Sequence, residues 1–361
     1  MPMQRLNVHA LAFRERGFTL IELMISVTIG MLILAAMTAM LVNNSAAQAE
    51  IEKANRQVEN GRYAFDLLSA DLRNAGYYGE FDPTVLTAPL TMPDPCLATI
   101  ADFKAALPLY VQGYDNVAAN VLSCLSDVKP GTDIVVVRHT ATCVIDAGNC
   151  NASGSGGPYF QASLCNNATE LSSSSVDDFY ALANDIASLD RHQRDCTSVA
   201  GSGTLAVVRR LEIHLYFVAN NGLTTDGIPT LKRARLANNG GSLGVTIEPL
   251  VEGIENLQME YGLDTNSDGA ADVFTTSPAS HAGCVLPACA VTNWTNVVST
   301  KVNLLARNLE PSLGHIDRKS YVLGNLSDGS PNTIAATGDQ YKRHVYQALG
   351  VLWNPAGRKA P

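Results

Sequence analysis

The residues best spaced for chemistry are Asp264, Asn266, Asp268, Ala270 and Asp272. Their side chains put oxygen at relative positions 1, 3, 5 and 9, the Ala270 carbonyl stands at 7 and Gly269 at 6. That is the front of a calcium loop: Ca²⁺ takes several hard oxygens, and the glycine permits the sharp turn. Position 12, where a bidentate Glu would complete the set, is Thr275. Ca²⁺ is therefore the candidate cofactor, bound weakly or with help from another residue, and the alternative is a solvated Asn/Asp/Gly turn. The string Gly240-Gly-Ser242-Leu-Gly244 fits a nucleophile elbow in letters only. An elbow needs a strand before it and a helix after it. Here Asn238-Asn239 precede and a strand-like Val245–Leu250 follows, so it reads as a loop. The seven His show no H-E-x-x-H, and no phosphate-cradling glycine pattern occurs. The chain is expected to be no enzyme.

Eight cysteines, Cys96, Cys124, Cys143, Cys150, Cys165, Cys196, Cys284 and Cys289, are the disulfide candidates. An even count points to an oxidising compartment. The short separations favour Cys143–Cys150 and Cys284–Cys289, and the other pairings stay open. No C-x-x-C occurs and no His stands at ligand spacing from a Cys pair, which argues against a structural zinc site.

One more ionisable residue stands where chemistry is costly. Phe18 to Val42 is a run of 25 residues in which Glu22 is the one ionisable side chain. At about 1.5 Å per residue this helix reaches roughly 37 Å, enough for a hydrocarbon core of about 30 Å. A carboxylate there costs up to about 2.5–3.5 kcal/mol near the centre and less toward an end. It needs a partner. Arg5, Arg14 and Arg16 against Glu15 precede the run. A signal peptide would match the basic start and the Ala47-Gln-Ala49 string, but its apolar stretch is shorter. A plain single-pass anchor fits the length and leaves Glu22 unexplained.

Arg16-Gly17-Phe18-Thr-Leu-Ile-Glu22-Leu resembles the prepilin motif of type IV pilins and type II secretion pseudopilins. The resemblance implies cleavage between Gly17 and Phe18 by prepilin peptidase, N-methylation of Phe18 and retention of the helix. It also implies that Glu22 is an assembly charge, paired with the amine of a neighbouring subunit. Two such charges compensate each other, whereas either alone stays uncompensated.

The elements that would position these residues follow. Beyond Val42, Ile51, Ala54, Val58, Phe65, Leu68, Leu72 and Ala75 recur at helical steps, with Gly61 at the missing step and charges on the other faces. Gly76 is placed to end the helix. The prepilin resemblance implies residues 1–17 as leader and 18–42 as a transmembrane or filament-core helix; the sequence pattern predicts 43–76 as its amphipathic continuation and 77–361 as a β-rich head. Within the head, Asp133–His139 reads as a buried strand, and 140–204 as a Cys/Ser/Gly-rich, disulfide-tied insertion with a weak helical pattern at Val176–Leu189. Leu205–Ala219, Thr230–Leu236, Val245–Leu250, Ile254–Leu263, Thr295–Arg307 and Arg343–Trp353 are further strand candidates. Alternation in these predicts a sheet with one wet face. The fold class is α+β: a long N-terminal helix packed on a mostly antiparallel sheet.

Gly61–Gly79, Leu250–Gly262 with the Asp-rich turn after it, Trp294 with its strand, and Leu352-Trp-Asn-Pro355 resemble PilW-like minor pilins. The resemblance implies a non-catalytic minor pilin that helps prime the pilus within a tip-associated minor pilin complex. Its partners would be other minor pilins, the major pilin, prepilin peptidase, the inner membrane and the assembly platform. The precursor would be a single-pass inner-membrane protein with its head in the periplasm. A minor pseudopilin of a type II secretion system and a tip adhesin are the alternatives. The formal charge of −9 becomes about −11 without the leader, which argues against nucleic acid as a partner.

Overall fold

A computed structural model describes residues 17–360 apart from 149, 151–155, 169, 172–174, 224 and 240–241. The basic leader up to Arg16 and the first two glycines of the elbow string lie outside the described residues. The chain forms two compact units, one up to Glu52 and one from Lys53.

Helix α1 spans Leu20–Asn74. In the first unit, no side chain from Phe18 to Val42 is buried, and apolar residues stand on every side of the helix. The few hydroxyls here bond to their own helix: Ser26 donates to the Leu23 carbonyl at 2.8 Å, Thr28 to Met24 at 2.9 Å and Thr38 to Leu34 at 2.6 Å. A segment with internally satisfied polar groups and an apolar surface all round suits a medium that offers no hydrogen bonds. Among the described residues, α1 carries the one stretch long and apolar enough to cross a membrane.

In the second unit, α1 buries Gln57, Gly61, Ala64, Leu68, Asp71 and Leu72. This is not the whole stripe expected from apolar spacing, because Ile51, Ala54 and Val58 face outward. Close approach sets the face instead. A Cβ on Gly61 would run into the Tyr346 ring, and the two polar residues on that face find partners in the head. Gln57 donates to the Ala306 and Lys342 carbonyls at 2.8 and 3.0 Å.

The helix stops where Gly76 adopts φ +72°, a conformation glycine reaches without steric cost. Helix ends leave carbonyls without intrahelical partners. Here Asn354 donates to the Ala75 carbonyl at 3.2 Å, and Arg358 to that of Gly76 at 2.8 Å.

Short helix α2 (Ile100–Ala106) is followed by strands β1 (Val111–Tyr114), β2 (Ile134–Thr140), β3 (Tyr159–Ala162), β4 (Tyr180–Ala183), β5 (Val208–Ala219), β6 (Thr230–Asn239) and β7 (Ser242–Glu252). These seven form one antiparallel sheet around β5. Residues 211–216 of β5 pair with β2, 208–210 with β3 and 214–219 with β6. A second antiparallel sheet runs in the order β13 (Arg343–Val351), β10 (Val297–Arg307), β8 (Ile254–Leu263) and β9 (Val273–Thr275). Helix α3 (Pro287–Thr295) leads into β10, hairpin β11 (Tyr321–Asn325) and β12 (Pro331–Ile334) precedes β13, and α4 (Trp353–Lys359) follows it.

One core runs from Leu68 and Leu72 through Val135, Leu215 and Phe217 to Leu257, Met259 and Leu304. Asp133 ties the sheets together, accepting the Asn116 amide at 2.8 Å and the Met259 amide at 2.7 Å. Strand β2 is buried at every position, as the β-branched run suggests, whereas the wet face expected from alternation is absent from most of β5. Strands β4 and β13 alternate between more and less exposed positions along much of their length. The stretch 140–204 is disulfide-tied, yet it also supplies β3 and β4 to the main sheet. The helical pattern at Val176–Leu189 gives way to two single 3₁₀ turns flanking β4.

Candidate functional site

Three groups of residues carry the functional reading, and each rests on its neighbours in a different way.

At the start of the described chain, Gly17 has open space around its Cα and Phe18 is 87% exposed. Thr19 precedes the first turn of α1. Its hydroxyl accepts the Glu22 amide at 3.2 Å, and Glu22 accepts the Thr19 amide and hydroxyl, each at 2.9 Å. This is a reciprocal capping box: two amide donors without intrahelical partners are satisfied by one Thr and one Glu three residues on. Its Thr-x-x-Glu string is a local signal in the sequence. Its presence gives Glu22 a task inside its own chain. The carboxylate is held at the N-terminal end of the helix, where the helix dipole favours negative charge, one turn from the Phe18 nitrogen that cleavage would free.

The second group lies under the other end of α1. Asp71 projects from the helix onto His139 of β2 and His214 of β5. One carboxylate oxygen stands 2.7 Å from His139 Nε2 and the other 2.8 Å from His214 Nδ1. All three side chains are about 90% or more removed from solvent. Their register explains the convergence. Val137 pairs with His214 and His139 with Glu212, so the two histidines are diagonal neighbours on one face of the sheet. Burial pushes the Asp71 carboxyl up, but the charge and hydrogen bonds of His214 and His139 outweigh it and hold the group well below the usual carboxylate range. Burial likewise depresses His214, and Asp71 and then Glu212 overcome that effect, raising it to about 9. The histidines stand 68 and 143 positions from Asp71, so their convergence leaves no local signal in the sequence.

The third group is the acidic loop. Asp264, Asn266, Asp268, Ala270 and Asp272 lie in the turn between β8 and β9. The loop spends much of its oxygen on itself. Asp264 accepts the Ser267 amide at 2.6 Å and the Gly269 amide at 3.0 Å, and Asp272 accepts the Thr265 amide and hydroxyl, each at 2.7 Å. Asn266 donates to Asp268 and Asp272 at 3.2 Å. Asp264 is buried, and the Lys359 ammonium of α4 lies 4.0 Å from it.

The eight cysteines form four disulfides: Cys96–Cys124, Cys143–Cys150, Cys165–Cys196 and Cys284–Cys289. The two short-range pairs are those favoured by spacing. The other two close loops whose ends the sequence alone did not connect.

Residues 215–354 match the family model described as Type IV Pilus-assembly protein W, and residues 13–38 match the prokaryotic N-terminal methylation motif. No curated protein matches the chain. Among solved structures, a type IV-like pilin from Thermus thermophilus is similar over 83% of this chain and 97% of its own, at 11% identity and a TM-score of 0.35. The first match begins within β5 and ends at Asn354, the residue that caps α1, and the second encloses the Gly17–Glu22 motif. An N-terminal methylation motif on an apolar helix and a PilW domain in the head make the chain similar to PilW-like type IV pilins.

Proposed function

We propose that this pilin acts as a minor subunit that helps prime assembly of the type IV pilus. In this reading, prepilin peptidase cuts between Gly17 and Phe18, Phe18 is methylated, and α1 stays as the membrane anchor and later as a filament stave. The head lies in the periplasm until assembly and then near the pilus tip, with other minor pilins and the major pilin as neighbours. Its role is structural. The observation that carries the reading is the first half of α1: an apolar surface on all sides, with one carboxylate held a turn from the nitrogen that cleavage would free.

The capping box sharpens the test. Glu22→Gln keeps an oxygen that can accept the Thr19 amide, so the helix start is retained while the charge is lost. Cells carrying Glu22→Gln are expected to make stable, processed protein and few or no pili. Normal piliation would remove the charge-pairing role. Deletion distinguishes the other readings: loss of secretion with pili intact marks a pseudopilin, and loss of attachment with pili intact marks a tip adhesin.

Calcium at the Asp264–Asp272 loop is a separate proposal, supported by oxygen spacing. Its test is calorimetric titration of the full chain in detergent, where absence of heat with Ca²⁺ up to millimolar removes it.

A further inference from the structure

The Asp71 cluster has a hydrogen inventory that points past an ordinary ion pair. His139 Nδ1 lies 2.8 Å from the Thr140 carbonyl, which can only accept, so that nitrogen carries a hydrogen. In the neutral ring, Nε2 then holds a lone pair, and it faces an Asp71 oxygen at 2.7 Å. His214 repeats the pattern. Its Nε2 faces the Glu212 carboxylate at 3.4 Å, which leaves the lone pair of a neutral ring on Nδ1, 2.8 Å from the other Asp71 oxygen. With both rings neutral, lone pairs and carboxylate oxygens would converge, so either a proton on each of these nitrogens or one cation must stand between them.

Two protons would do it, at the cost of two buried imidazolium rings with centroids 5.8 Å apart. Like charges so close raise each other's cost in a buried site. One divalent cation meets the same demand with both rings neutral. The charge sum is unchanged, because two positive charges are added either way.

We propose that Asp71, His139 and His214 form a binding site for a divalent transition metal of the zinc type, which pins α1 to β2 and β5. Their ligand atoms lie within 4.8 Å of one another. Two imidazole nitrogens and a carboxylate oxygen are a donor set zinc accepts, at about 2.0–2.2 Å from each. The outer contacts fit as well. Metal-bound histidines donate their other ring N–H to a carbonyl or carboxylate, which fixes the tautomer, and here Thr140 and Glu212 stand in those places. The ligands come from one helix and two strands that are distant in sequence, so a bound metal acts as a cross-link in the folded head.

The test is elemental analysis of the full chain purified in detergent, with Zn²⁺ as the probe, followed by melting with and without a chelator. The expected result is about one zinc per chain, a melting temperature lowered by chelation and restored by Zn²⁺, and a tetrahedral absorption spectrum when Co²⁺ replaces Zn²⁺. In His214→Gln and His139→Gln the cobalt spectrum is lost. Wild-type protein that holds no zinc after incubation, with melting indifferent to Zn²⁺ and chelator, overturns the proposal. Zinc bound equally by both variants overturns it too. The wild-type measurements decide the matter even where a variant fails to fold.

Discussion

The two halves of α1 obey different rules, although they are one helix. Up to Val42 the surface is apolar on every side, and the polar atoms at Thr19, Glu22, Ser26, Thr28 and Thr38 bond within the helix itself. From Lys53 onward the apolar residues are sparse, and the buried face carries Gln57 and Asp71, whose partners lie in the sheets. The first half is self-sufficient in hydrogen bonds and deficient in apolar contacts. The second half reverses this. A segment of the first kind is finished only by an apolar surrounding, whether lipid or the helices of neighbouring subunits. A segment of the second kind is finished by its own head.

This contrast can be broken by substitution. The largest effect is expected for Asp71→Ala, which leaves two buried histidines without their shared carboxylate. Removing one partner of a buried charged pair costs about 3–5 kcal/mol, read as a fall in the melting temperature of the full chain in detergent. Next is a matched pair of leucines. Leu68→Ala empties a fully buried position and should cost about 2–5 kcal/mol, whereas Leu32→Ala, at a position 70% exposed within the chain, should leave head melting unchanged. Equal effects of the two leucines would erase the distinction between the halves. A smaller loss, about 1–3 kcal/mol, is expected for Gly61→Val, whose side chain meets the Tyr346 ring of β13. The Tyr346→Ala background should tolerate Gly61→Val better than wild type does.

What could be read in the sequence was local. Gly17, Phe18 and Glu22 lie within six residues, and a long apolar run declares itself. Cys143–Cys150 and Cys284–Cys289 are seven and five residues apart. The β-branched run of β2 names itself as a strand. What escaped is mostly non-local. Asp71 meets His139 and His214 across 68 and 143 positions, and Asn354 caps a helix that ended nearly 280 residues earlier. Apolar spacing does not give the buried face of α1: Ile51, Ala54 and Val58 are exposed, and a glycine beside a tyrosine ring and two satisfied polar side chains fix the rotation. Thr19 is the exception: its capping box is a local Thr-x-x-Glu string, legible in the sequence.

The C-terminal end of the chain closes the far end of α1. The last carbonyls of α1 depend on Asn354 and Arg358, so the C-terminal block completes the element that the N-terminal motif begins. Helix and head are one folding problem from Lys53 onward.

The central claim is that the first half of α1 is a processed, retained filament and membrane segment. The most direct measurement is the mass of the N-terminal peptide of the protein isolated from its own cells. The account predicts a chain that begins with N-methylated Phe18 and keeps the whole apolar run. A chain that still starts with the basic residues before Gly17, or one that starts at Glu50 after removal of the run, contradicts it.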